Sequence, residues 1–263
     1  MSQTAQLTLS NPVGLLLDAG APRARLAALR QRFGFAPLTT PPRSGFYLQL
    51  TAVGLQLQQA APDAPGPIRI DFLTGTLAHR LRYGGGRGQP LARAVGMKPG
   101  INPSIWDGTA GLGRDALVLA SLGSRVTLCE RAPVLAALLD DALLRAAQHP
   151  DAGGWIQARM QLLHADSVAA LGALADGERP DVVYLDPMYP PGKSGALVKK
   201  EIRALQLLLG GDHDSGSLLE VALSRAARRV VVKRPRRAGW LAGVQPSACV
   251  QSRNTRYDIY VNL

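Results

Sequence analysis

Cysteine, acidic residues and long apolar runs are all scarce in this chain, and each shortage removes a class of function. Only Cys129 and Cys249 occur in 263 residues, which excludes a disulfide framework and argues against a four-ligand zinc site. No stretch approaches the roughly 18 uninterrupted apolar residues of a membrane-spanning helix, so a protein without membrane spans is expected. The opening Met-Ser-Gln-Thr-Ala-Gln has no basic region leading into an apolar core, so no secretory signal is read there. His79, His149, His164 and His213 are scattered without ligand spacing, and no metal is expected. These absences describe a cytoplasmic globule with a substantial core.

What is abundant is positive charge. Thirty Lys and Arg face 19 Asp and Glu, a net charge of +11. From Met1 to Trp106 ten Arg and one Lys stand against Asp18, Asp63 and Asp71, with no Glu. A second cluster, Arg225, Arg228, Arg229, Lys233, Arg234, Arg236 and Arg237, contains no acid. Arginine forks match phosphate geometry and stack on bases, so nucleic acid is the first partner to test. A GC-rich genome would also enrich Ala, Gly and Arg, and composition alone does not separate the two accounts.

Residues 1–67 read as a small α+β module: an Ala/Leu/Arg helix near Arg23 to Arg32, a Pro-rich link, and a hairpin within Phe46 to Gln58 around Gly54. Residues 68–100 read as a basic connecting segment holding the glycine-rich turn Gly84-Gly85-Gly86-Arg87-Gly88. Consecutive glycines beside Arg80, Arg82 and Arg87 suit contact with phosphate. From residue 101 to 263, strand alternates with helix, the pattern of a mostly parallel sheet covered on both faces. Strands are expected at Ser104–Trp106, Arg125–Cys129, Met160–His164, Asp181–Leu185 and Arg229–Lys233. Helices are expected at Asp115–Leu122, Pro133–Ala147, Leu197–Leu209 and Ser217–Arg228, and Ala248–Ser252 with Arg256–Val261 reads as a closing antiparallel hairpin.

The first chemical motif, Asp107-Gly108-Thr109-Ala110-Gly111-Leu112-Gly113-Arg114-Asp115, lies at a strand-to-helix turn. There Gly111 and Gly113 let the backbone approach a ligand at the carboxyl edge of a parallel sheet. Glu130 ends the next strand, where an acid accepts hydrogen bonds from a ribose diol. Dehydrogenases and methyltransferases both use this arrangement. His164-Ala165-Asp166-Ser167 offers a carboxylate and a hydroxyl at the same edge, suited to an adenine amine. Asp186-Pro187-Met188-Tyr189-Pro190 then sets a carboxylate, a rigid turn and an aromatic ring at the mouth of the sheet. Asp186 and the Pro187 carbonyl are acceptors for the two hydrogens of an exocyclic amine, and Tyr189 can stack on its base. Holding those hydrogens aims the nitrogen lone pair at a methyl sulfonium, so positioning does most of the work. A dehydrogenase has no role for this turn. C5-pyrimidine methylation needs a nucleophilic cysteine, and Cys129, inside a strand, is badly placed for it.

Asp186-Pro187-Met188-Tyr189 resembles the (Asp/Asn/Ser)-Pro-Pro-(Tyr/Phe) motif of S-adenosylmethionine-dependent amino-methyltransferases, with Met188 in place of the second proline. The run Ala78-His79-Arg80 through Gly88, then Ala110 to Asp115, Leu139-Asp140-Asp141, Tyr184 to Pro190, Ala196 to Glu201, Val230 to Pro235 and Tyr257 to Tyr260 resembles the ribosomal small-subunit methyltransferase J family from about residue 68 onward. That resemblance implies a class I, Rossmann-like methyltransferase that takes S-adenosylmethionine and methylates the N2 amine of a guanosine in 16S ribosomal RNA. It implies cofactor contacts at Arg114, Asp115, Arg131 and Ser167 beside Asp107, Gly111, Gly113, Glu130, Asp166 and Asp186. Catalysis is expected of Asp186, Pro187 and Tyr189. RNA contacts are expected of Arg80, Arg82, Arg87, Lys199, Lys200, Lys233, Arg234, Arg236 and Arg237. Thr109 departs from the wider class, which has glycine there. Methylation of adenine N6 or of a protein amide, or a non-catalytic RNA-binding assembly role, would use the same fold.

Overall fold

The computed structural model describes residues 13–61, 64, 66–74, 85–188, 200–210 and 214–262, the side chains of 200–203 excepted. The chain divides into two units, Met1–Arg69 and Ile70–Leu263.

In the first unit, strand β1 (Gly14–Leu17), helix α1 (Arg23–Phe33), and strands β2 (Pro37–Leu38), β3 (Gly45–Thr51) and β4 (Gly54–Ala60) form a four-stranded sheet of order β2-β1-β3-β4 with one helix. The expected hairpin is β3–β4. Its register sets Leu48 opposite Leu57 and Leu50 opposite Leu55, so the strand period of two lines one face with four buried leucines. Gly34, at φ +74°, ends α1 and returns its N–H to Arg30 O at 2.9 Å, a left-handed turn that a side chain would resist.

Ile68 bridges back to Leu57 within the first unit, while helix α2 (Pro90–Ala94) packs on the last two strands of the second. Of the described residues in 68–100, Ile68 and Arg69 thus fall in the first unit and α2 in the second. Apolar α2 side chains decide this: Leu91, Ala92 and Ala94 are buried and hold the segment to the second core.

The second unit continues with β5 (Ile105–Asp107), α3 (Arg114–Ser121), β6 (Val126–Glu130), α4 (Pro133–Ala147), α5 (Gly153–Arg159), β7 (Met160–His164), α6 (Ser167–Gly172), β8 (Val182–Leu185), α7 (Lys200–Leu209), α8 (Ser215–Arg225), β9 (Arg229–Pro235), β10 (Ala248–Gln251) and β11 (Thr255–Val261). The strands form one sheet of order β10-β11-β9-β8-β5-β6-β7, with β5 to β9 parallel and β11 and β10 antiparallel. This is the expected Rossmann-like class I architecture. The central strands are apolar on both faces: Val182 to Leu185 and Val230 to Val232 are all buried, as helices on both sides require. Val183, Leu185, Val230 and Val232 pack with Leu171 of α6 and Leu218, Leu219 and Ala222 of α8. The alternate residues, Tyr184 and Val231, turn toward α3. No helix among the described residues is long and apolar enough to cross a membrane.

Candidate active site

The carboxyl ends of β5, β6, β8 and β9 carry Asp107, Glu130, Asp186 and Lys233, and α3 adds Asp115 in its first turn. Asp107 is 2% exposed, and Thr109 N–H donates to its Oδ1 at 3.2 Å. Burial pushes its carboxyl up to about 8, helped by the charges of Asp115, Asp186 and Glu130 and opposed by that hydrogen bond; at neutral pH it holds a proton. Glu130 accepts from Gly111 N–H at 2.9 Å through one oxygen and from Ala132 N–H at 2.8 Å through the other. The glycine turn is thus fastened to the end of β6 by the acid expected to meet a ribose.

Gly113 sits at φ +68° as the N-cap of α3, and a Cβ there would stand 2.8 Å from Leu139 Cδ2. The turn needs glycine here both for conformation and for close packing. Thr109 takes on a task that glycine cannot: its hydroxyl accepts the Asp186 N–H at 2.6 Å. The departure from the class pattern is a link between the glycine turn and the Asp-Pro turn.

Register explains the next cluster. Tyr184 pairs with Val231, and the period of two carries the same face to Asp186 and Lys233. The Tyr184 hydroxyl donates to Asp115 Oδ2 at 2.7 Å, and Lys233 Nζ lies 2.8 Å from that oxygen and 2.7 Å from Asp186 Oδ2. Burial lowers the affinity of Lys233 for its proton, but the charges of Asp186 and then Asp115 more than reverse this, so the ammonium is held well above its ordinary range. Burial likewise raises Tyr184, with Asp115 adding to it. Burial of Cys129 takes its thiol to about 11, and a group that stays protonated at neutral pH is no nucleophile.

The other expected residues lie within and around this cluster. Lys233, expected on the RNA face, points into the site, because β9 alternates and the two carboxylates draw its ammonium inward. Arg234 is buried on the opposite face and donates to Gly239 O at 3.2 and 2.9 Å, stapling the β9 exit. Arg87, half-buried, donates to Lys98 O, Ile101 O, Asn102 Oδ1 and Leu122 O; four acceptors converge on one guanidinium, so it braces the loops around it. Asp166 is exposed and caps α6 by accepting Ala169 N–H at 3.0 Å. Ser167 is buried and donates to Gly108 O at 2.7 Å. Arg114 is exposed, and Arg131 pairs with Asp214. Pro187 is buried directly after Asp186. Arg236 and Arg237 are exposed beyond the Arg234 staple, and Trp240, three residues further along the chain, is 45% exposed. Tyr189, Arg80, Arg82 and Lys199 lie outside the described residues, as does the side chain of Lys200.

The family described as "Putative SAM-dependent methyltransferase" matches residues 28–262. A ribosomal RNA small subunit methyltransferase J from Photobacterium profundum is 51% identical over 239 residues, covering 90% of this chain and 92% of that protein. The chain belongs to this family. A methyltransferase J from Pseudomonas aeruginosa is 48% identical over 256 residues, covering 93% and 97% of the two chains. The crystal structure of a SAM-dependent methyltransferase from Neisseria gonorrhoeae shares 35% identity and a TM-score of 0.77, over 95% of this chain and 96% of that one. The family match begins at residue 28, well inside the first unit, so the likeness is not confined to residues after 68. The chain is an S-adenosylmethionine-dependent methyltransferase. Its donor set suits that cofactor: Asp115, Glu130 and Asp186 line the edge, with the Lys233 ammonium between Asp115 and Asp186, so acids outnumber the cation and complement a sulfonium and an ammonium.

Proposed function

We propose that this enzyme transfers the methyl group to the exocyclic N2 amine of a guanosine in 16S ribosomal RNA. The observation that carries the reading is the Asp186-Pro187 turn, fastened to the glycine turn through Thr109 and to β9 through Lys233. S-adenosylmethionine supplies an electrophilic methyl carbon when bound. Glu130 accepts ribose hydroxyls and Asp115 faces the cofactor's cationic groups. Asp186 and the Pro187 carbonyl accept the two amine hydrogens, which turns the nitrogen lone pair out of conjugation, and Tyr189 stacks on the base. No strong base is required, because the proton leaves with or after methyl transfer.

The RNA backbone in this reading is gripped by Arg236 and Arg237, with Arg80, Arg82, Lys199 and Lys200 as further contacts, and Trp240 offers a stacking face. The cofactor and amine sites lie in the second unit, and the enzyme works in the cytoplasm, where ribosomal subunits are assembled. Mass-spectrometric mapping of small-subunit RNA from cells with and without the protein tests the reading. One N2-methylguanosine should disappear on deletion; an unchanged RNA, or loss of N6-methyladenosine instead, overturns it.

A further inference from the structure

Lys233 is a cation in a site whose acids already suit a cationic cofactor, and that raises the question of its purpose. Its Nζ bridges Asp186 Oδ2 at 2.7 Å and Asp115 Oδ2 at 2.8 Å. Asp115 is itself anchored, by the Tyr184 hydroxyl and by its place in the first turn of α3. The chain of contacts therefore runs from the middle of β8 through α3 to β9 and back to the residue that follows β8, and every link but the last is at most 28% exposed. Asp186, at 40%, is the end that opens outward.

We propose that Lys233 is the positioning residue of the amine site: it holds one oxygen of Asp186, fixes the carboxylate's orientation and keeps it ionised as a hydrogen-bond acceptor for the substrate amine. The proposal rests on the reading of Asp186 as that acceptor. Its physical basis is the crowd of like charge. Asp115 on α3 and Glu130 on β6 face the same edge, beside the protonated Asp107 on β5, with Tyr184 on β8 and, opposite Lys233 on β11, Tyr257. A carboxylate in such company takes up a proton readily, and a protonated carboxyl gains a donor and loses acceptor capacity. An ammonium at hydrogen-bond distance reverses this, and an opposite charge so close typically lowers a carboxyl by about 1–3 pH units. Arginine at the same place would preserve the charge with a different fork.

The test uses the full-length protein and its Lys233→Met and Lys233→Arg variants, assayed on small-subunit particles from cells lacking the enzyme, across pH 5.5 to 9. For Lys233→Met, kcat at pH 7 should fall about 30- to 100-fold, with KM for the particle changed less than about threefold. The acid limb of kcat should move up by about one unit or more, so that part of the loss recovers as the pH rises, and Lys233→Arg should restore most of it. A loss equal at every pH, with the acid limb unmoved, overturns the proposal. So does a change confined to RNA affinity and its salt dependence, which would make Lys233 a phosphate contact. Carbon-13 carboxyl shifts of Asp186, titrated in wild type and in Lys233→Gln, give a readout that needs neither activity nor the Met variant to fold. The Asp186 midpoint should rise in the variant, and an unchanged midpoint overturns the proposal. Wild-type protein that transfers no methyl group to the particles while still showing the midpoint shift would sink the proposed function and the amine-site role with it, leaving only that Lys233 keeps Asp186 ionised.

Discussion

At the ends of β5, β6 and β7 the acids are held by backbone: Thr109 N–H on Asp107, Gly111 and Ala132 N–H on Glu130, Ala169 N–H on Asp166. At the ends of β8 and β9 the acid is held by side chains, with Lys233 on the carboxylate of Asp186 and Thr109 on its N–H. Backbone donors follow from the turn itself and survive most substitutions nearby. Side-chain partners can be lost one at a time, and one of them, Lys233, carries charge. The half assigned to the cofactor at the ends of β5, β6 and β7 is therefore built for constancy, while Asp186 in the half assigned to the amine, together with Asp115 on the same lysine, depends for ionisation and orientation on identifiable side chains.

The largest expected effect strikes the amine half. Asp186→Ala should lower methyl transfer about 100- to 1000-fold, the scale for removing one positioned hydrogen-bond partner. RNA affinity, measured by filter binding, should stay within about threefold, because no phosphate contact is removed. Near-normal turnover would show that the two halves are not divided as described. In the cofactor half, Glu130→Ala should weaken S-adenosylmethionine binding about 10- to 100-fold by calorimetry, since it deletes a charged acceptor and loosens Gly111. An unchanged affinity would make Glu130 a structural clasp alone.

Asp107 gives a smaller effect with a defined sign. Its carboxyl rises from 3.8 to about 8 in the folded protein, chiefly through burial. Between those values the folded state holds a proton that the unfolded chain releases, so this group's contribution to stability is greatest below about pH 4 and is lost as pH rises toward 8. Urea unfolding of Asp107→Asn should show a flatter pH dependence over that window, by at most about 1.4 kcal/mol per pH unit. Equal slopes for the two proteins would mean that Asp107 is ionised when folded.

Sequence patterning made the long elements legible and left orientation hidden. Pro133–Ala147 and Met160–His164 are found as expected, because a proline-started Ala/Leu helix and an apolar strand declare themselves locally. Helix α5 begins Gly-Gly and α6 has six residues; both are too short for periodicity to register and are stabilised by packing. Asp107, Glu130 and Asp186 were legible because strand ends and turns announce them. The arginines and Lys233 were not, since β9 is covered on both faces and a run of cations says nothing of which side chain turns inward. Only the pairing of Tyr184 with Val231 puts Lys233 beside Asp186 and leaves Arg234 on the other face.

Thr109 belongs to both halves, and so tests the division most finely. Its N–H serves Asp107 and its hydroxyl serves Asp186, at 3.2 and 2.6 Å. Thr109→Val keeps shape and N–H but leaves the Asp186 N–H without that acceptor, a change worth about 1 kcal/mol for a neutral hydrogen bond. The effect should fall on the amine half alone: kcat about fivefold lower, cofactor affinity unchanged, and activity recovered in Thr109→Ser, which keeps the hydroxyl. If Thr109→Val instead weakens cofactor binding as much as turnover, the two turns move as one body. The distinction between a backbone-held and a side-chain-held half would then describe how the acids are anchored and not how the site divides its labour.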